Sequence, residues 1–256
     1  DSSPSLNNAS TIVRWFYTKK PPAVAIVGTE NIVSSSTLYH PIYRFSNNST
    51  TSRTLSVVVY TQAELAAAGI YPGQAITKLA WDKNGTGGTN SALDFKMWMR
   101  NSTTNPPLAT TTTWQYVLSN FTQVYANSNY QVPAVAGWHE LILSVPFIYS
   151  GGSIEIASET FFSGTQPWTS DKFDWKYSAG TETSIIAWTG TAAPTGSTVL
   201  SGTTATYKHR PNTKFFIDAT VFSLDAGIIA VNSPNGPQIS GIPVPVHVSL
   251  RNFGST

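Results

Sequence analysis

The chain has 256 residues, 41% of them apolar and 12% aromatic, enough for one large β-sandwich or two smaller domains. Only 11% are charged, against about 25% in ordinary soluble domains, and the net charge of +2 is too small for a nucleic-acid-binding field. Cysteine is absent, which excludes a thiol nucleophile and fits a bacterial exported protein better than a eukaryotic secreted one; a cytoplasmic protein that lacks Cys is the alternative.

The start, Asp1-Ser2-Ser3-Pro4, is polar and reads as a mature or trimmed N-terminus. No apolar run approaches the roughly 20 residues of a membrane span. Residues 1–50 form an N-terminal extension of uncertain role, with candidate first strands at Ile12–Tyr17 and Val24–Val27.

From 51 to 222 the pattern predicts an all-β, antiparallel sandwich of jelly-roll type. Short alternating runs closed by Gly, Pro, Asn or Ser place strands at Thr54–Tyr60, Ile76–Trp81, Asp94–Arg100, Tyr116–Tyr125, Trp138–Phe147, Ser153–Glu159, Phe173–Tyr177, Ser184–Trp188 and Lys214–Ala219. In 94–100, Phe95, Met97 and Met99 face the core, while Asp94, Lys96, Trp98 and Arg100 face a wet surface. Pro146 marks an edge or a bulge. One short helix is expected at 62–68, with Thr61 as N-cap, Glu64 three residues on and Gly69 as the stop. Past Asp218 the composition shifts, and 223–256 reads as two antiparallel strands joined by a Pro/Gly loop, too little for an independent domain.

The standard catalytic motifs are missing: there is no G-x-S-x-G elbow, P-loop or H-E-x-x-H, and His40, His139, His209 and His247 lie far apart, as surface or strand-end residues would. Glycoside hydrolysis needs two carboxylates flanking one bond. Glu155 and Glu159 share a strand face but lie about 13 Å apart, too far for that chemistry, so any pairing must cross strands. Asp82, Asn84 and Thr86 alternate oxygen ligands before a glycine turn, as calcium loops do. No bidentate acid follows, so an Asx-type hairpin turn explains the same residues. The sequons at Asn8, Asn47, Asn48, Asn84, Asn101 and Asn120 are what an Asn-, Ser- and Thr-rich chain produces by chance.

Aromatic residues carry the strongest hint of binding. Phe173, Trp175 and Tyr177 share one strand face, with Trp168 and Trp188 near in sequence; such a row is either a stacking platform for sugar rings or a core face. Trp98, opposite Phe95, is the better candidate for an exposed contact. Trp138, after a glycine at a strand start, reads as core.

Four blocks, VVVYTQAELAAAGIYPGQAITKLAWD (57–82), LDFKMWMRNST (93–103), VAGWHELILSVPFIYSGGSIEIAS (135–158) and HRPNTKFFID (209–218), resemble a β-sandwich module of large secreted and surface proteins of the Bacteroidota. Many such proteins are type IX secretion substrates, some of them acting in adhesion or gliding. Glu64, Leu65, Gly69, Ile70, Gly137, Trp138, Pro146, Phe147, Arg210 and Pro211 occupy the matching positions. The tail is similar to the opening strands of an immunoglobulin-like module, so 223–256 would be a partial Ig-like segment of a longer protein.

The resemblance implies a noncatalytic module at the bacterial cell surface or outside the cell, serving adhesion or as a stalk. Its partner would be a surface or extracellular glycan or protein, with no nucleic acid, no membrane span and no cofactor beyond a structural calcium. Two alternatives stand beside it. One is a carbohydrate-binding module of a secreted hydrolase; the other is a self-assembling filament subunit using strand addition through residues 224–256.

Overall fold

The computed structural model describes residues 24–33, 40–42, 53–85, 87, 92–103, 111–162, 174–180, 184–202, 208–218, 226–233 and 246–252. In chain order its elements begin with β1 (Val24–Val27), β2 (Ile32–Val33), β3 (Arg53–Tyr60), α1 (Gln62–Ala67), β4 (Ala75–Asn84), β5 (Leu93–Ser102), β6 (Thr111–Thr113) and α2 (Trp114–Asn120). They continue with β7 (Thr122–Tyr130), β8 (Gly137–Ile148), β9 (Ser153–Phe161), β10 (Asp174–Ala179), β11 (Ile185–Gly190), β12 (Val199–Ser201), β13 (His209–Pro211), β14 (Thr213–Asp218), β15 (Ala226–Ser233) and β16 (His247–Asn252). The expected strand at 12–17 lies outside the described residues, as do Trp168, Phe173 and Thr86.

Two antiparallel sheets face one another, so the chain is an all-β sandwich. The first runs β1-β14-β4-β10-β13, with β2 added to β10 and β8 to β4; the second runs β6-β12-β11-β3-β9-β5-β7. Alternation along the strands fills the space between the sheets. Phe95, Met97 and Met99 from β5, Leu79 and Trp81 from β4, Val58 and Tyr60 from β3 and Phe215 from β14 all enter one core, each with almost no exposure. On β8 the register against β4 shifts between Ile76 and Lys78, opposite Ser144–Pro146, where proline cannot donate to a ladder.

The second sheet is covered on both faces. Leu55, Val57, Val59, Trp98, Ala157 and Ile186 point away from the sandwich core and are buried by Trp114, Val117, Phe121 and Leu200. This cover corrects two expectations. Helix α2 takes up 116–120 of the strand expected at 116–125, so the described residues hold two short helices and not one. Thr113 caps it by accepting from Tyr116 N at 3.3 Å, and Trp114 and Val117, three residues apart, fall on its buried side. Packing on an apolar sheet face overrides the strand preference of this aromatic and β-branched run.

Helix α1 forms as its capping box predicts: Thr61 accepts from Glu64 N and the Glu64 carboxylate accepts from Thr61 N. Leu65 anchors it in the core, and Gly69 ends it at φ 87°, a conformation that only glycine adopts without penalty. Trp138 departs from its reading as core. It is half-buried on the outer face of the first sheet, with Lys214 Nζ 4.4 Å from its ring centroid.

β15 and β16 belong to a separate compact unit. They pair antiparallel, as the Pro/Gly-interrupted pattern of the tail predicts, with register shifts after Ile228 and Val231.

Candidate functional site

The aromatic residues singled out from the sequence part company in the structure. Trp98 is 6% exposed and packs edge-to-face on Trp114 at 5.4 Å, so α2 removes the contact surface expected of it. Trp175 and Tyr177 are core residues: the Trp175 indole donates to Ile42 O at 2.9 Å and the Tyr177 hydroxyl donates to His40 O. The β10 row therefore offers no stacking platform, because both rings face the inside of the sandwich. Trp188 alone of the described candidates stays half-buried, at the rim of the outer cluster on the second sheet.

The calcium reading does not gain a cage. β4 continues through Asn84, which pairs with Asp174, and the Asp82 carboxylate accepts from Lys176 Nζ at 3.1 Å. A lysine ammonium thus occupies the acid that would have led the metal ligands. Among the described residues no three His, Asp or Glu side chains come together.

His40 makes a contact that resembles a serine–histidine dyad. Its Nδ1 lies 3.0 Å from Ser56 Oγ, which lies 2.8 Å from Ser158 Oγ. All three residues are buried, with no more than 2% exposure, and Trp81 stacks edge-on to the imidazole at 5.6 Å. Burial lowers the His40 pKa to about 3, so the ring is neutral. With no path for a substrate, this cluster is a polar pin between β3, β9 and the 40–42 segment. It also corrects the surface or strand-end expectation for His40, whereas His209 and His247 each open a strand, β13 and β16.

Half-buried charged and aromatic side chains collect elsewhere, on the outer face of the second sheet beside α2. Two rows cross β11, β3, β9 and β5. In the first, Trp188 is opposite Leu55, Leu55 opposite Glu159, and Glu159 opposite Lys96; in the second, Gly190 is followed by Arg53, Phe161 and Asp94. At about 4.8 Å per strand the face is about 14 Å wide.

Its charges are arranged unevenly. Lys96 Nζ donates to Asp94 at 2.8 Å, and the Arg53 guanidinium carbon sits 3.5 Å from the Phe161 ring centroid. Arg53 and Glu159 are diagonal neighbours on adjacent strands; Arg53 Nε is buried without a hydrogen-bond partner, and Glu159 stands directly opposite Lys96. Burial pushes the Glu159 pKa up; Lys96 opposes this, Asp94 adds to it, and Arg53 opposes it. Trp188 closes one end, its ring folded so closely over Gly190 that a Cβ there would lie 2.4 Å from it.

Glu155, two alternations back along β9 beyond Ala157, is different. It is fully buried and clamped by Arg100 at 2.6 and 2.9 Å, with Arg100 held against Tyr116 and Phe121. Glu155 ties α2 to the sheet and leaves Glu159 as the accessible carboxylate of β9. Asp94 and Glu159 are themselves diagonal neighbours, about 7–8 Å apart at Cβ.

Of Arg53, Asp94, Lys96, Glu159, Phe161 and Trp188, the sequence pattern placed Asp94 and Lys96 on a wet face and singled out Trp188. Arg53, Phe161 and the pairing of Glu159 with them were missed, because only the strand order β11-β3-β9-β5 brings them together. The available signal was charge on alternate residues of both DFKMWMR and SIEIASETF.

The class these observations define is an all-β antiparallel sandwich with a mixed aromatic and charged sheet face. No protein-family model matches the chain, and no curated protein matches it. Among solved structures it is similar to the cysteine protease and lectin-like domains of Cwp84, a surface layer associated protein of Clostridium difficile, at 6% identity and a TM-score of 0.37. That match covers 65% of this chain and 32%, about a third, of the other.

Proposed function

We propose that this chain is a noncatalytic module of a larger extracellular protein of the bacterial cell surface, serving adhesion by holding a partner on the outer face of its second sheet. The observation that carries this is the gathering of Arg53, Glu159, Lys96 and Asp94 beside Trp188 and Phe161 on one sheet face, none of them fully buried. The low charge of the chain and its resemblance to Bacteroidota surface modules support the same reading.

A second reading comes from the same face. Asp94 and Glu159 are diagonal neighbours across β5 and β9, and glycoside hydrolysis uses a pair of carboxylates. Against it, Asp94 is tied to Lys96, and neither carboxylate lines a described cavity; those open beside α1, one around Glu64 and Arg210 and one around Thr61 and Ser102.

The test is retention of the purified chain, coupled to fluorescent beads, on intact cells and on extracellular-matrix surfaces, with Arg53→Ala and Glu159→Gln in parallel. Retention that falls with both variants, and no release of reducing sugar from polysaccharides, supports the proposal. Retention indifferent to both variants contradicts it, and sugar release abolished by Glu159→Gln establishes the hydrolase instead.

A further inference from the structure

The outer face of the first sheet carries apolar side chains into solvent. Register fixes its rows. Val24, Phe216, Lys78 and Ile142 lie side by side across β1, β14, β4 and β8, and Ile26, Lys214, Ala80 and Glu140 form the next row. Ile142 is 71% exposed, Ile26 43% and Val24 37%. The charges of the face are spent on its other members. Lys78 Nζ donates to Glu140 at 2.9 Å and lies 4.4 Å from the Phe216 ring centroid, while Lys214 crosses β4 to lie over the Trp138 ring. An exposed apolar strip rimmed by such groups marks an interaction surface.

The partner follows from the symmetry of the rows about β4. An isologous contact needs a patch that complements itself, and this one does when two copies stack face to face about a two-fold axis along β4. β14 of one copy then faces β8 of the other at the same level. Phe216 meets the second copy's Ile142 in one row, and Lys214 meets the second copy's Glu140 in the next. The first contact is apolar on apolar and the second is cation on anion, and the axis makes each of them twice. Lys78, near the axis, keeps its own Glu140, and one carboxylate has acceptor sites for both lysines. A uniformly acidic partner would be repelled by Glu140, and a uniformly basic one by Lys78 and Lys214. A second copy offers both signs in the required places. It also covers Ile142, the most exposed large apolar side chain among the described residues.

We propose that two copies of this chain dimerise through the outer faces of their first sheets, about an axis along β4, with Phe216 against Ile142 and Lys214 against Glu140.

The experiment is sedimentation velocity of the full chain over a concentration series, with Ile142→Arg, Lys214→Glu and Glu140→Lys alongside. The parent is expected to shift from monomer to dimer as concentration rises, and each variant should weaken the dimer roughly tenfold or more. An equimolar mixture of Lys214→Glu and Glu140→Lys should dimerise again, because every pair across the axis then joins opposite charges; that recovery also shows both variants to be folded. A parent that stays monomeric throughout overturns the proposal. So does a dimer indifferent to Ile142→Arg, or a mixture of the two charge variants that stays monomeric. Retention on cells is read with beads that carry many copies and does not require this contact, so any of these failures leaves the adhesion reading standing.

Discussion

The guanidinium of Arg210 forms two charge-assisted hydrogen bonds with the carboxylate of Glu64, joining β13 to α1 across 146 residues of chain. The same carboxylate accepts from Thr61 N at 2.9 Å and Thr61 Oγ1 at 2.7 Å. One acid therefore caps a helix and pins it to the first sheet. Replacing Glu64 by Ala removes both and leaves a mostly buried cation unpaired, so a loss of about 2–4 kcal/mol is expected in urea unfolding. Arg210→Met keeps the cap and should cost clearly less. Equal losses for the two variants would mean the cap contributes nothing.

His40 makes the stability depend on pH. Its folded pKa of about 3 lies below the ordinary value of 6.5, so the unfolded chain takes up the proton first. The stabilisation is complete above about pH 6.5 and declines by up to about 1.4 kcal/mol per pH unit as pH falls toward 3. Glu155 and Glu159, whose pKa values are raised by burial, work in the opposite sense: protonation favours their folded form, so they gain stability as pH falls through the folded pKa. The comparison that isolates His40 is parent against His40→Gln across pH 4–7 in urea. Parallel curves would contradict the assignment.

Trp98 and Trp188 separate packing from binding. Trp98→Ala opens a hole between the sheet and α2 and should cost about 3–5 kcal/mol. Trp188→Ala, at the rim, should cost about 1–2 kcal/mol and abolish retention. Guanidinium unfolding together with the bead assay distinguishes them. A Trp98 variant that stays folded yet loses retention would return that residue to the binding surface.

Gly190 tests how the Trp188 ring is held. An added methyl would meet the ring at 2.4 Å, so Gly190→Ala must tilt the indole off the strand. The expected result is a shift in tryptophan fluorescence and weakened retention for roughly 1 kcal/mol of stability. Unchanged fluorescence would show that the ring is not held there.

Much of the fold was legible because its signals are local. Phe95, Met97 and Met99 alternate with charged neighbours, and Thr61 and Glu64 spell a capping box ended by Gly69, so β5 and α1 follow from a few residues each. Helix α2 was hidden because Trp, Tyr and Val suit strands, and its stability comes from a sheet face assembled from β11, β3, β9 and β5. The burial of Trp98 follows from that same missing cover. The site was half legible for a related reason. Alternation shows which side Asp94 and Lys96 take, whereas the meeting of Arg53 with Glu159 depends on pairing β3 with β9, a hundred residues apart in the chain.

The central claim, that the outer face of the second sheet is the working surface, is tested most directly by changing one face at a time. The double variant Arg53→Ala/Trp188→Ala should lose surface retention about tenfold or more. The double variant Ile142→Ser/Lys214→Ala, on the outer face of the first sheet, should retain as the parent does. The reverse pattern, with retention lost only through Ile142 and Lys214, would place the binding surface on the other sheet and contradict the account.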